Sequence, residues 1–256
     1  MGMKTSGAVF QQLMDSVLGD LQPKIAVLFI DDITIFSLTL EQHYEDVNRV
    51  LERLNIANLK VNGKKCSFAK EEVVVLRFKD SKHGINPNSA KVQGINDLGP
   101  PKNVSGVKQI LGMFNFYIKF IPDFATLAEP IVELTRGKMK KYSEVKWDQQ
   151  HDKCLLLLKH KLSTAPILKY PDFMKEFAIK TDASQVGLGA VLTQEYEIEG
   201  EKIFMPVLYA SRSLKGAKRR YSVTDLEALA VVWAVKTFKS YVMGTKILGC
   251  DGSQHP

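Results

Sequence analysis

The stretch Ile25-Ala26-Val27-Leu28-Phe29-Ile30-Asp31-Asp32-Ile33-Thr34-Ile35-Phe36-Ser37 decides how the rest of this chain is read. An apolar, β-prone run meets two adjacent carboxylates and then resumes as a second β-prone run. Two short strands flanking a polar pair read as a hairpin. Neighbouring carboxylates repel each other, which makes ionising both costly unless a divalent cation lies between them. Nucleotidyl transfer uses such pairs to hold metal ions ~3.5–4 Å apart. Asp-Asp is also ordinary turn chemistry, and on this stretch alone the plain turn is the stronger reading.

The flanking sequence supplies context. Residues 8–18 place Phe10, Leu13, Met14 and Val17 at helical spacing, with Gly19 as a stop. Residues 40–56 form an amphipathic helix with Tyr44, Val47, Val50, Leu51 and Leu54 on one face. A second hairpin is expected from Val73–Phe78, a Ser81–Gly84 turn and Ile85–Pro87. A further helix is expected over 104–120, limited by Pro122 and Pro130. Lys138–Lys141 reads as a linker, and residues 148–163 as a helix ended by Thr164-Ala165-Pro166. From residue 176 the pattern turns to strands, at 176–182, 187–193 and 203–211. A helix at 223–238 and a strand at 247–251 follow. The expected fold class is α/β with mixed pairing. There is no internal repeat.

The 256 residues carry 35 Lys+Arg against 28 Asp+Glu, a net +7 that fits a phosphate-facing surface and equally a plain basic soluble protein. Cys66, Cys154 and Cys250 are far apart without a C-x-x-C pattern. That argues against a disulfide framework or zinc site and for a reducing compartment. No apolar run approaches the ~20 residues of a membrane span, so no membrane partner is expected. Met1 to Ser6 formally matches a myristoylation pattern, but the segment reads as chain interior.

The motifs Phe10-Gln11-Gln12-Leu13-Met14-Asp15, Phe29-Ile30-Asp31-Asp32-Ile33, Leu51-Glu52-Arg53-Leu54 and Lys64-Lys65-Cys66-Ser67-Phe68 occur in order. Pro101-Lys102-Asn103-Val104 and Phe116 through Phe124 follow. Together they resemble the reverse transcriptase palm and thumb of gypsy-type LTR retrotransposons. Thr181-Asp182-Ala183-Ser184, Gly187 through Leu192, Tyr209-Ala210-Ser211-Arg212 and Glu227-Ala228-Leu229-Ala230 resemble that family's ribonuclease H domain. The resemblance implies a partial palm (1–87) with a metal-site hairpin and a primer-grip hairpin. It then implies a mainly helical thumb and connection (88–165) and a C-terminally truncated ribonuclease H-like mixed sheet (166–256).

The resemblance gives Asp31 and Asp32 the palm metal role, with Asp31 as the direct ligand, and sets Phe29 where tyrosine is usual. Asp182 ends the first ribonuclease H strand, Glu227 faces it from the helix, and Asp251 ends the strand alongside. The three are expected to converge on Mg²⁺, or Mn²⁺, and to act as catalytic residues. Glu227 shares a helix side with Ala230, Val231 and Ala234, so it is expected to point inward or into a cleft. Phe29, Lys119, Lys218, Arg219 and Arg220 are candidate nucleic-acid contacts. Core packing is the stronger reading around Lys119, and solvated charge competes evenly at Lys215–Tyr221. The implied partners are a primer–template duplex, an RNA/DNA hybrid and deoxynucleotides. A parent element would work in cytoplasmic particles and the nucleus.

The sequence departs from the family in several places. Leu76-Arg77 stands where Leu-Gly is usual, and Cys250-Asp251-Gly252-Ser253 where Thr-Asp-His is usual. The family's first palm strand, with another metal-binding aspartate, has no counterpart here, and neither does its later ribonuclease H acid. The expectation is therefore no DNA synthesis by this chain alone and at most weak hybrid cleavage. A decayed or domesticated binding remnant is the alternative, and an unrelated metal-dependent phosphatase or nuclease is remote.

Overall fold

The computed structural model describes residues 5–137 and 140–251, with side chains as far as Leu248. Met1–Lys4, where the acylation pattern begins, and Lys138 and Met139 of the expected linker lie outside the described residues. The chain divides into two compact units, Met1–Val75 and Leu76–Pro256.

The first unit contains helix α1 (Ser6–Leu18), strands β1 (Ala26–Phe29) and β2 (Asp32–Ile35), helix α2 (Leu40–Ile56) and strand β3 (Glu72–Val75). β1 and β2 pair antiparallel. Along β1 the side chains alternate, with Ala26 and Leu28 buried and Val27 and Phe29 exposed. The buried row meets Met14 and Leu18 of α1 and Val50 and Leu54 of α2, so two helices cover one face of a hairpin that could not stand alone. The apolar stripe of α2 is narrower than its sequence implies, because Tyr44 is 60% exposed and Leu51 38%. Asp46 takes a fully buried place in the stripe instead.

The second unit opens with the antiparallel hairpin β4 (Phe78–Ser81) and β5 (Gly84–Pro87). The expected strand Val73–Phe78 is interrupted, because Leu76 and Arg77 both adopt left-handed dihedrals (φ 47° and 74°). Helices α3 (Ser89–Asn96), α4 (Val104–Phe116), α5 (Phe124–Leu127), α6 (Glu129–Glu133) and α7 (Gln149–Ser163) follow. The helix expected over 104–120 ends at Phe116, and Ile118–Phe120 winds a tighter 3₁₀ turn. That change of pitch sends Tyr117 and Phe120, three residues apart, into one core with Phe114 and Leu158.

Strands β6 (Phe177–Ala183), β7 (Gly187–Ile198), β8 (Glu201–Ser213) and β9 (Ile247–Asp251) form a sheet in the order β8-β7-β6-β9. β7 and β8 outrun their expected lengths. Ile198 pairs with Glu201 across Glu199-Gly200, and both turn residues have positive φ (54° and 82°), the two-residue geometry that matches strand twist. β9 lies parallel to β6, so the chain must cross over between them. Helices α8 (Val223–Thr237) and α9 (Lys239–Val242) make that crossover. Ile179, Ala190 and Leu192 face Ala234 and Phe238, while Leu188 meets Leu226 and Ala230. α5 and the 118–120 turn also pack on this sheet, against β8. Among the described residues no helix is long and apolar enough to cross a membrane.

Candidate active sites

In the first unit, Phe29 pairs with Asp32, leaving Ile30 and Asp31 as a two-residue turn. Ile30 has φ 56°. For a β-branched residue this is a strained conformation, of the kind concentrated at functional turns. Its amide donates to Gln11 Oε1 at 2.6 Å, and Gln11 Nε2 in turn donates to Asp15 Oδ1 at 2.9 Å. Helix α1 thus sets the turn through Gln11. Asp31 stands in the turn and Asp32 starts β2 directly opposite Phe29, which is 51% exposed. Both carboxylates are exposed at the hairpin tip.

Behind the hairpin, Ser37 Oγ donates to Asp46 Oδ2 at 2.7 Å, and Gln42 Nε2 donates to Asp46 Oδ1 at 3.1 Å. The Ser37 bond, and after it those from Gln42 and Arg49, outweigh burial and hold the Asp46 carboxyl below its ordinary range. Sequence reasoning assigned no role to Gln11 or Asp46. Gln11 lies inside the Phe10–Asp15 motif, and Asp46 breaks an otherwise apolar helix stripe.

In the second unit, Asp182 lies near the C-terminal end of β6, exposed, and pairs with Gly189. Directly opposed residues project from the same sheet face. Because Ile179 faces α8, strand alternation sends Asp182 to the other face. There the Asp123 carboxylate rests against Gly189 and leaves no space for a Cβ. Asp123, with φ 52°, is the residue preceding α5. The helix is tied to the sheet by Ala125 N, which donates to Ser211 Oγ at 2.8 Å.

The backbone of Asp251 pairs with Lys180 on the parallel strand, two positions before Asp182, and its side chain lies outside the described residues. Glu227 is exposed on α8, beside the buried Leu226 and Ala230, so of its two expected settings it does not take the inward one. Among the described residues no three His, Cys, Asp or Glu side chains come together as a metal-holding group.

The basic candidates fall into distinct settings. Lys119 Nζ sits 3.8 Å from the Phe78 ring centroid and 5.3 Å from that of Phe120. Burial lowers its pKa, and the nearby Asp80 carboxylate opposes the shift. Asp80 is pushed up by burial, and Tyr170 is pushed up to about 12, first by burial and then by the Asp80 charge. Arg219 is held internally. Its Nε donates to Leu214 O at 2.9 Å, and its guanidinium pairs with the buried Glu129, which Arg136 also meets at 2.6 Å. Arg220 is exposed and Lys218 half-buried on the same 3₁₀ turn, Gly216–Arg220.

Residues 1–86 match the reverse transcriptase (RNA-dependent DNA polymerase) family, and residues 147–248 match the RNase H-like domain found in reverse transcriptase. The retrovirus-related Pol polyprotein from transposon gypsy of Drosophila melanogaster is 34% identical over 263 residues, covering 100% of this chain and 25% of the relative. That from transposon opus of the same species is 34% identical over 253 residues, covering 95% and 24%. This chain belongs to the LTR-retrotransposon Pol reverse transcriptases. The Tf2-3 transposon polyprotein of Schizosaccharomyces pombe is 32% identical over 244 residues, covering 95% of the chain and 18% of the relative. The Pol chain thus spans a quarter or less of these curated relatives.

Its fold is that of the foamy viral protease–reverse transcriptase in complex with RNA/DNA hybrid (TM-score 0.79, 23% identity, 96% of this chain and 32% of that one). The foamy viral protease–reverse transcriptase dRH in complex with ds DNA gives a TM-score of 0.82 at 22% identity, covering 94% and 41%. Asp31 and Asp32 fall within the polymerase match and Asp182 and Glu227 within the RNase H-like match, while Asp251 lies three residues beyond it.

Proposed function

We propose that this Pol segment acts on nucleic acid through two carboxylate sites: a palm hairpin that handles a primer–template duplex and an RNase H-like sheet that handles an RNA/DNA hybrid. The observation that carries the reading is the placement of Asp182 and Asp251 near the C-terminal ends of adjacent parallel strands, the edge at which open α/β sheets place ligands. Carboxylate oxygens are hard donors that suit Mg²⁺ or Mn²⁺. Asp31 and Asp32 would hold such ions in the palm, and Asp182, Glu227 and Asp251 in the RNase H-like site. When bound, the ions supply charge neutralisation and lower the pKa of attacking water. The protein's own part is positioning. Gln11 fixes the palm turn, the α5 anchor fixes the strand end carrying Asp182, and Lys218 and Arg220 face phosphates while Arg219 pins their segment to Glu129.

The 256 residues by themselves offer the palm two adjacent carboxylates, and no primer extension is expected of them alone. Hybrid cleavage is expected to be weak. The test is a labelled RNA/DNA hybrid with Mg²⁺ and then Mn²⁺, with Asp182→Asn run in parallel. Cleavage that falls by at least a hundredfold in Asp182→Asn supports the reading. Salt-dependent binding without turnover in a folded sample would replace it with that of a non-catalytic binding module.

A further inference from the structure

Residues 166–172 join α7 to β6, and their backbone faces two sheets. Ile85 N of β5 donates to Leu168 O at 2.8 Å, and Leu168 N donates back to Ile85 O at 3.0 Å. The next residue turns the other way, and Lys169 N donates to Pro206 O of β8 at 2.8 Å. Successive residues of an extended chain present their backbone groups to opposite sides. The strap therefore bonds the β4–β5 hairpin on one side through Leu168 and the outer edge of the four-stranded sheet on the other through Lys169. Pro206, which has no amide, suits an edge that only accepts at this point.

Both sides are locked. The Gln194 side chain is fully buried on β7. Its Nε2 donates to Asp172 O at 2.7 Å, and its Oε1 accepts from Asp172 N at 2.9 Å. On the hairpin side, Gly84 packs so closely on the Leu168 carbonyl that a Cβ has no room.

We propose that the strap makes the β4–β5 hairpin an extension of the RNase H-like sheet, with Gln194 as a positioning residue for a hairpin it does not touch. The hairpin then moves with the sheet as one body. The consequence for function rests on the reading above and on the resemblance that makes β4–β5 a primer grip: nucleic acid gripped at this hairpin is presented to the Asp182 strand end at a fixed spacing along the duplex, set by the strap.

Residue-resolved hydrogen exchange on the whole chain tests the proposal without metal, substrate or activity. Cleavage results with Asp182→Asn bear on the functional reading alone, so the two can fail separately. Gln194→Ala is expected to speed exchange at the Ile85 and Leu168 amides at least tenfold, with Ile179 in β6 remaining protected. Should Gln194→Ala also expose Ile179, Lys169→Pro serves instead, with Lys169→Ala beside it. Both lose the ammonium near Tyr196, and the proline alone removes the amide that bonds to Pro206, so the same tenfold rise at Ile85 is expected of the proline variant and not of the alanine one. An unchanged Ile85 amide, in either variant that frees the strap and keeps β6 protected, overturns the proposal. The hairpin would then be held by its own contacts.

Discussion

At the residue scale, Arg77 shows what a departure from a family pattern costs. Its φ of 74° lies in the left-handed region, where a Cβ is unfavourable by about 1–2 kcal/mol. The usual glycine at this position is thus explained by dihedral preference. Arg77 is partly compensated by its guanidinium, 5.3 Å from the Phe116 ring centroid, a contact of about 0.5–1 kcal/mol. Arg77→Gly and Arg77→Ala both lose that contact, so comparing them isolates the backbone. The glycine variant should be the more stable by about 1 kcal/mol in urea titrations. In a helix interior the order is reversed, and alanine proving the more stable here would show that the turn relaxes out of the left-handed region. Ile30 presents the same conflict at the palm turn, where a β-branched residue at φ 56° is held by its bond to Gln11.

At the scale of elements, the β1–β2 hairpin depends on α2 through Asp46. Hydrogen bonds, led by that of Ser37, lower its folded pKa relative to the unfolded chain. A carboxyl of this kind stabilises the fold fully above its unfolded pKa of ~4, and the contribution is lost as pH falls through the lower folded value. Asp20, lowered by Arg53, acts in the same direction. Chemical denaturation between pH 7 and pH 2 should therefore show a first unit that weakens below pH ~4. Asp46→Asn should start less stable at neutral pH and lose less across that range. An acid limb equally steep in both proteins would remove Asp46 as its cause.

At the scale of the whole molecule, the division into Met1–Val75 and Leu76–Pro256 predicts separable unfolding. Both tryptophans, Trp147 and Trp233, belong to the second unit, so their fluorescence reports on it alone. Leu54→Ala in the first core and Leu158→Ala in the second should each cost about 2–5 kcal/mol. The first should shift far-UV circular dichroism while leaving the tryptophan midpoint in place, and the second should lower that midpoint. A common shift of both signals in both variants would mean the chain unfolds as one cooperative body. The sequence by itself did not show helix α3 or the short helices α5, α6 and α9. It determined the order of the hairpins, long helices and sheet strands, the α2 helix to the residue, the α/β class, the family, and which carboxylates stand at strand ends. These follow from periodicity and from motifs local in the chain. Only the tertiary structure decided that Glu227 is exposed, that Arg219 is spent on Glu129, and that Asp46 is buried. It also decided that Leu168 bonds to the hairpin after Arg77 while Lys169 bonds to β8. Each of these depends on contacts between residues distant in sequence, and a local pattern carries no record of which face will find a partner.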